Sequence, residues 1–223
     1  MAAADDAAAS CADKVAATVQ THYEGVRDFT AQFEQTTSSA LFGQVGSEQQ
    51  APVRGEVVFA KPGRMRWTYA EPEPSLVVSD GKTLWLYSPA RKEAQRLPVT
   101  EGYLTGAALE FLLGDGKLLE SFEVSSDVCP FHPIEDENGD QAPPQTIELE
   151  LTPREPSSYE KLGITARPTT GEVVATRVVD LFGNETRIAF HQIQRNRDPD
   201  PSTFVFEPAD DVDVIDLGTP PGP

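Results

Sequence analysis

Hydrophobic and polar positions follow a helical rhythm over the first twenty-five residues and a strand rhythm over most of the rest. From about Asp6 to Gly25 the chain is rich in alanine and free of proline and internal glycine. Cys11, Val15, Thr18, Val19, His22 and Val26 recur there at the spacing of one helix face. A helix over about 6–25, stopped by Gly25, is predicted. The period then changes. In "VRDFTAQFEQTT", Phe29, Ala31, Phe33 and Gln35 alternate with Asp28, Thr30, Gln32 and Glu34, as in a strand with one buried face.

After a polar loop at 43–52, "GEVVFAKPGRMRWTYAEP" predicts two strands broken at Lys61-Pro62-Gly63, because proline lacks a ladder N–H and glycine supplies turn dihedrals. In the second of them Met65, Trp67 and Tyr69 share one face. Arg64, Arg66 and Thr68 share the other, which is expected to be solvated. "SLVVSDGKTLWLYSP" follows as a hairpin turning at Asp80-Gly81. Its second strand carries apolar groups on both faces (Leu84 and Leu86, Trp85 and Tyr87), so it needs two hydrophobic partners. A further strand is expected in "KEAQRLPV".

"TGAALEFLLGDG" breaks the series as a short helix with Thr105 as N-cap, Gly114 as stop, and Leu109, Leu112 and Leu113 in one stripe. Residues 126–145 form an acidic, proline-rich surface insertion without periodicity. Strand patterns return in "TIELELTP", "KLGITARP", "EVVATRVVD", "ETRIAFHQIQR" and "TFVFEP". Ten or eleven strands, short polar turns and no βαβ alternation predict a mainly β (α+β) fold. Its centre is a large curved antiparallel sheet, forming an unclosed barrel whose apolar inner face is covered by a few α-helices. A length of 223 residues fits one such domain over 1–223.

Charge and composition narrow the function. Thirty-six acidic against eighteen basic residues give a net charge of −18, which opposes binding to phosphate backbones, so no nucleic-acid partner is expected. No run approaches the roughly 18 apolar residues of a membrane span. The start "MAAADDAAASC" has neither a basic n-region nor an apolar h-region, so no secretory signal is expected in this chain.

His22, His132 and His191 show no metal-ligand spacing, and neither a nucleophile elbow, a Walker loop nor a dinucleotide loop is present. The carboxylate runs at 134–140 and 210–216 lack the spacing of a calcium loop and read as solvated charge. No metal, no cofactor and no catalytic residue are expected, and binding is favoured over catalysis. Cys11 and Cys129 could be a disulfide or two separate thiols, and without a CxxC they offer no redox motif.

Three stretches together resemble the LolA family of periplasmic lipoprotein carriers: "VRDFTAQFEQT" after an N-terminal helix, "GEVVFAKPGRMRWTY" leading into "EPSLVVSDGKTLWLYSP", and "TFVFEPADDVDVID". The resemblance implies a half-open barrel with a lid of helices over a hydrophobic cavity that receives acyl chains. Phe59, Met65, Trp67, Tyr69, Leu84 and Leu86 would line that cavity, with Leu109, Leu112 and Leu113 on the lid.

Many family members hold the lid with an arginine before a conserved proline. Lys61 stands there in this chain, with Arg64 nearby. In "ADDVDVID" the family's usual proline and glycine are replaced by Ala209 and Asp211. The family also implies a monomer that takes acylated lipoproteins from an inner-membrane ABC-type release complex to an outer-membrane acceptor. An oxidising periplasm favours a Cys11–Cys129 disulfide. The alternative is a periplasmic sensor of lipids or lipoproteins of the RseB type, or a general lipid-binding protein on the same fold.

Overall fold

A computed structural model describes residues 2–39, 51–99, 117–128, 134–135, 141–142 and 145–218, with side chains described for 11–39, 51–99, 117–128 and 145–218. The elements are α1 (Ala2–Glu24), β1 (Asp28–Ser38), β2 (Val53–Ala60), β3 (Arg64–Glu71), β4 (Ser75–Asp80), β5 (Thr83–Ser88), β6 (Glu93–Pro98), α2 (Leu118–Ser121), β7 (Phe122–Ser125), β8 (Ile134–Glu135) and β9 (Gln141–Ala142). They continue with β10 (Ile147–Pro153), β11 (Tyr159–Ala166), β12 (Val173–Asp180), β13 (Glu185–Arg195), a 3-10 turn (Pro201–Phe204) and β14 (Asp213–Asp216).

Twelve strands make one sheet in the order β14-β6-β5-β4-β3-β2-β1-β13-β12-β11-β10-β7, so the order does not close on itself. Successive strands are neighbours from β1 to β6 and from β10 to β13, the up-and-down pattern that short turns predict. The pairing of β14 with β6 is parallel, against the expectation of an all-antiparallel sheet. The remaining two strands pair only with each other, through Ile134↔Ala142 and Glu135↔Gln141, inside the insertion that was expected to have no regular structure.

The residues group into two compact units, one drawn from 1–25, 37–48 and 115–189, the other from 26–36, 49–114 and 190–223. In the first, α1 lies against β7 and α2. Its buried stripe holds Cys11, Val15 and Val19 as its spacing predicts, and Ala12, Ala16 and Tyr23 as well. Two polar contacts fix its rotation: Gln20 Oε1 accepts the Leu118 N–H at 3.1 Å, and the Tyr23 hydroxyl accepts the Val173 N–H at 3.3 Å.

On β10 and β11 of the same unit, Ile147, Leu149, Leu151, Leu162 and Ile164 are buried on one face. The other face carries Glu148 and Glu150, bridged by Arg177 of β12 at 2.7 and 3.6 Å. Period-2 alternation thus separates a dry side from a charged one.

The second unit holds β2–β6, β14 and most of β1. Here the hairpin loop is Gly81-Lys82, one residue later than the sequence pattern suggests. Asp80 Oδ1 accepts the N–H groups of both Lys82 and Thr83, and Gly81 takes φ +92°, which explains glycine at the first loop position.

"TFVFEP" is not a strand. The Asp200 carboxylate accepts the Ser202 N–H at 2.8 Å and Pro201 opens the 3-10 turn, so the segment coils before it can pair. The last strand comes instead from "DVID", expected as solvated charge. It is held by its ladder to β6 and by ion pairs Lys92–Asp211, at 2.7 Å, and Arg96–Asp216.

Candidate functional site

Strand register gathers most of the predicted binding residues onto one face of the second unit. Phe29↔Phe59, Phe59↔Met65, Met65↔Ser79, Ser79↔Leu84 and Leu84↔Leu97 form a continuous row across β1–β6. The next row along the strands is Ala31, Val57, Trp67, Val77, Leu86 and Gln95. The third contains Phe33, Gly55, Tyr69 and Ser75. Paired residues share a face and successive rows lie two residues apart, so all three rows project from the same side.

Burial changes systematically along this face. Every member of the first row is buried. In the second row burial fades across the strands, from fully buried Val57 through Trp67 and half-buried Val77 to Leu86, 37% exposed. In the third, Phe33 is buried and Tyr69 half-buried. The apolar surface therefore starts dry beside the turns at 61–63 and 81–82 and reaches solvent at Leu86 and Tyr69. Burial pushes the Tyr69 phenol above its ordinary value, so the ring stays neutral at any physiological pH.

Aromatic rings fill the central part of the face. Phe29 and Phe59 lie 4.6 Å apart between centroids, Phe33 stands edge-on to Trp67 at 4.7 Å and to Tyr69 at 5.2 Å, and Phe59 to Trp67 at 5.6 Å. Each such pair adds about 0.5–1.5 kcal/mol beyond the area it buries. Ser79, the polar member of the first row, is fully buried and satisfied: its hydroxyl donates to Gly63 O at 3.1 Å and accepts the Gly81 N–H at 3.0 Å. It ties the β2–β3 turn to the β4–β5 turn, which fixes the strand ends under the row.

On the opposite face, Thr68 is exposed as expected, but Arg64 and Arg66 are half-buried. Arg66 Nη1 donates to Thr203 O at 3.2 Å, and the Arg64 guanidinium lies 5.1 Å from the centroid of Phe204, itself buried. Phe206 packs on Trp85 at 5.4 Å and on Tyr87 at 5.1 Å. The second partner of β5 is thus the chain's own C-terminal segment, on the side of Trp85 and Tyr87. Leu84 and Leu86 remain on the side of Met65 and Trp67.

Of the two residues expected to hold a lid, Arg64 points away from the Met65 face and donates from Nη2 to Lys61 O at 3.2 Å. Lys61 starts the β2–β3 turn, where its N–H donates to Arg27 O at 2.8 Å. Leu109, Leu112, Leu113 and the predicted helix that carries them lie outside the described residues. Cys11 is disulfide-bonded. Its expected partner, Cys129, is also outside them.

Sequence reading missed Phe29, Phe33, Val57 and Leu97 as members of this face. The alternation of β1 and β2 was a signal for the first three, but only the register shows that they join Met65 and Trp67. Among the described residues no group of three or more His, Cys, Asp or Glu could hold a metal ion, and no helix is long and apolar enough to cross a membrane.

The family model described as "Outer membrane lipoprotein carrier protein LolA" matches residues 24–207. An outer-membrane lipoprotein carrier protein of Chromobacterium violaceum is 29% identical over 194 residues, covering 86% of this chain and 82% of its own. One of Chromohalobacter salexigens is 29% identical over 207 residues, covering 90% and 91%. Among solved structures, an uncharacterized conserved protein from Thermus thermophilus superposes with a TM-score of 0.52 at 10% identity, covering 92% of this chain and 98% of that one, a likeness of fold alone.

Proposed function

The chain belongs to the LolA family of outer membrane lipoprotein carrier proteins, and on that premise we propose that it is a periplasmic carrier, one LolA-like domain over 1–223 and not an enzyme. It holds the acyl chains of lipoproteins on the apolar face of β1–β6. It works as a monomer between an inner-membrane ABC-type release complex and an outer-membrane acceptor.

The observation that carries the reading is the burial gradient along one face, from the dry row of Phe59, Met65 and Leu84 to Leu86 and Tyr69 at the solvent. A soluble core has no need of an apolar surface that runs continuously out to water, whereas a carrier does. Each acyl CH₂ removed from water contributes about 0.8 kcal/mol, so three chains crossing an aqueous compartment unprotected would cost on the order of tens of kcal/mol. The carrier must hide the chains and still let them go. Leu109, Leu112 and Leu113 supply the lid, competing with the chains for the same surface, so that binding and release become shifts between two occupants of similar chemistry. Lys61, beside the dry end of the face, supplies donors that hold the lid closed. A Cys11–Cys129 disulfide ties α1 to the insertion.

The test uses inner-membrane vesicles that contain the release complex and a triacylated lipoprotein. Adding the protein with ATP should move lipoprotein into the supernatant as a soluble complex that then delivers it to outer-membrane vesicles. A protein that releases none, and also fails to enhance bis-ANS fluorescence, is not such a carrier.

A further inference from the structure

The two most exposed large hydrophobic side chains among the described residues are adjacent: Leu181 is 64% exposed and Phe182 85%. They form the tip of the β12–β13 hairpin, far in sequence from the apolar face described above. The tip is held rigidly. Asp180 Oδ1 accepts the N–H groups of Phe182 and Asn184, each at 2.8 Å, and Asp180 Oδ2 accepts Asn184 Nδ2 at 2.8 Å. Backbone bonds Asp180 N to Asn184 O and Gly183 N to Asp180 O, both 3.0 Å, close the loop, with Gly183 at φ +79°. A turn so fully bonded fixes the backbone beneath its two apolar side chains, so an encounter spends little backbone ordering entropy.

We propose that Leu181-Phe182 is a docking point for a protein partner whose apolar pocket is rimmed by lysine and arginine. An aromatic anchor filling a pocket is the usual centre of an interface, and nothing in the chain's own described structure covers this one. The rim follows from charge. Register Tyr159↔Asp180 brings the loop before β11 beside the turn. Around the turn, Glu155, Glu160, Asp180 and Glu185 stand against Arg154, Lys161, which pairs with Val179 in the register, and Arg177, 3.5 Å from Glu185. That leaves one negative charge beside the turn on a chain of net charge −18, which attracts a basic rim and repels an anionic lipid surface, so a protein is favoured over a membrane.

The inference rests on the carrier reading, because the partner is the machinery at one end of the shuttle. Release from inner-membrane vesicles and transfer to the acceptor are measured for the wild type, Leu181→Ala/Phe182→Ala and Glu155→Lys/Glu160→Lys, with bis-ANS binding as the control for the cavity. The expected result is a loss of about tenfold in one of the two steps for both variants at low salt, about 1.4 kcal/mol of docking, with bis-ANS binding unchanged. Wild-type rates in both variants at both steps overturn the docking point alone. Co-flotation of the wild type, but not of the alanine variant, with phosphatidylethanolamine and phosphatidylglycerol vesicles overturns it in favour of a membrane contact. A wild type inactive in both steps removes the carrier reading and this inference with it.

Discussion

The ring of Phe33 lies across the bare Cα of Gly55: a Cβ on that glycine would come 2.9 Å from Phe33 Cε1 and 2.0 Å from the carbonyl oxygen of Thr68. The register of β2 against β3 shifts between Arg54 and Gly55, where the strands pass too close for any side chain. Gly55→Ala should therefore displace backbone as well as ring, costing about 3 kcal/mol, the upper end for overpacking. Urea unfolding measures it. Because Phe33 supports Trp67 and Tyr69, bis-ANS fluorescence of the folded variant should change too. An unaltered midpoint would mean the strands can part without penalty.

Arg64 makes a second prediction through the C-terminal segment. Its guanidinium stacks on Phe204 and donates to Lys61 O, on the face opposite Met65. Arg64→Ala should cost about 1–2 kcal/mol by urea unfolding, from lost packing and a lost charge-assisted bond. It should leave apolar-probe binding intact. A variant of wild-type stability with weakened binding would place Arg64 in lid closure instead.

How far the sequence could be read depended on whether the cause was local. The helix ending at Gly25, the strands of alternating pattern and the Met65, Trp67, Tyr69 face were legible because periodicity records which side is buried. The conformation of 201–206 was not. Phe204 and Phe206 alternate as in a strand, but Asp200 and Pro201 wind the chain before them, and both rings turn onto β3 and β5. Nor was β14 legible, since its acidic residues look solvated until Lys92 and Arg96 are brought beside them. Which face of β5 joins Met65 and Trp67 was equally hidden, because Leu84, Trp85, Leu86 and Tyr87 are all apolar. Tertiary register, with Phe206, decides it.

The pairing of β14 with β6 should depend on pH. The hydrogen bond from Arg96, then that from the Gly218 N–H, holds the Asp216 carboxyl below the ordinary carboxylate range. A carboxylate whose folded pKa is depressed contributes stability that is present above its unfolded pKa and is lost as pH falls through the folded value. Amide exchange in 213–217, corrected for intrinsic rate, should be slow near neutrality and accelerate below about pH 4. Asp216→Asn should exchange faster at neutral pH and show a smaller acid response. Identical profiles for both proteins would mean the ladder alone holds the strand.

The disulfide at Cys11 bears on α1, in whose buried stripe this residue lies. If the partner is Cys129, intact mass should rise by about 2 Da on reduction, without any dimer on a non-reducing gel. Cys11→Ser should lower stability by about 2–4 kcal/mol, the usual range for a bridge closing a long loop. A mass unchanged by reduction would mean that there is no bridge, and a disulfide-linked dimer would assign the bond to two chains.

Leu86 and Met65 separate the proposed binding face from the core it grows out of. Both project from one side of the sheet, but Met65 is 5% exposed and Leu86 37%. Met65→Glu would bury a carboxylate without a partner, costing about 3–5 kcal/mol, so lost activity there could not be told from lost fold. Leu86→Glu leaves its charge within reach of water and should change stability by about 0.5 kcal/mol or less. Where acyl chains run along the face, the same carboxylate would lie against them, and their uptake should fall at least about tenfold, a differential of about 1.4 kcal/mol. Release of a triacylated lipoprotein from inner-membrane vesicles, read beside urea unfolding of the same variant, tests this. Wild-type release by a well-folded Leu86→Glu protein would mean that the chains stop short of the exposed end of the face, leaving the buried row of Phe59, Met65 and Leu84 to be uncovered by some other route.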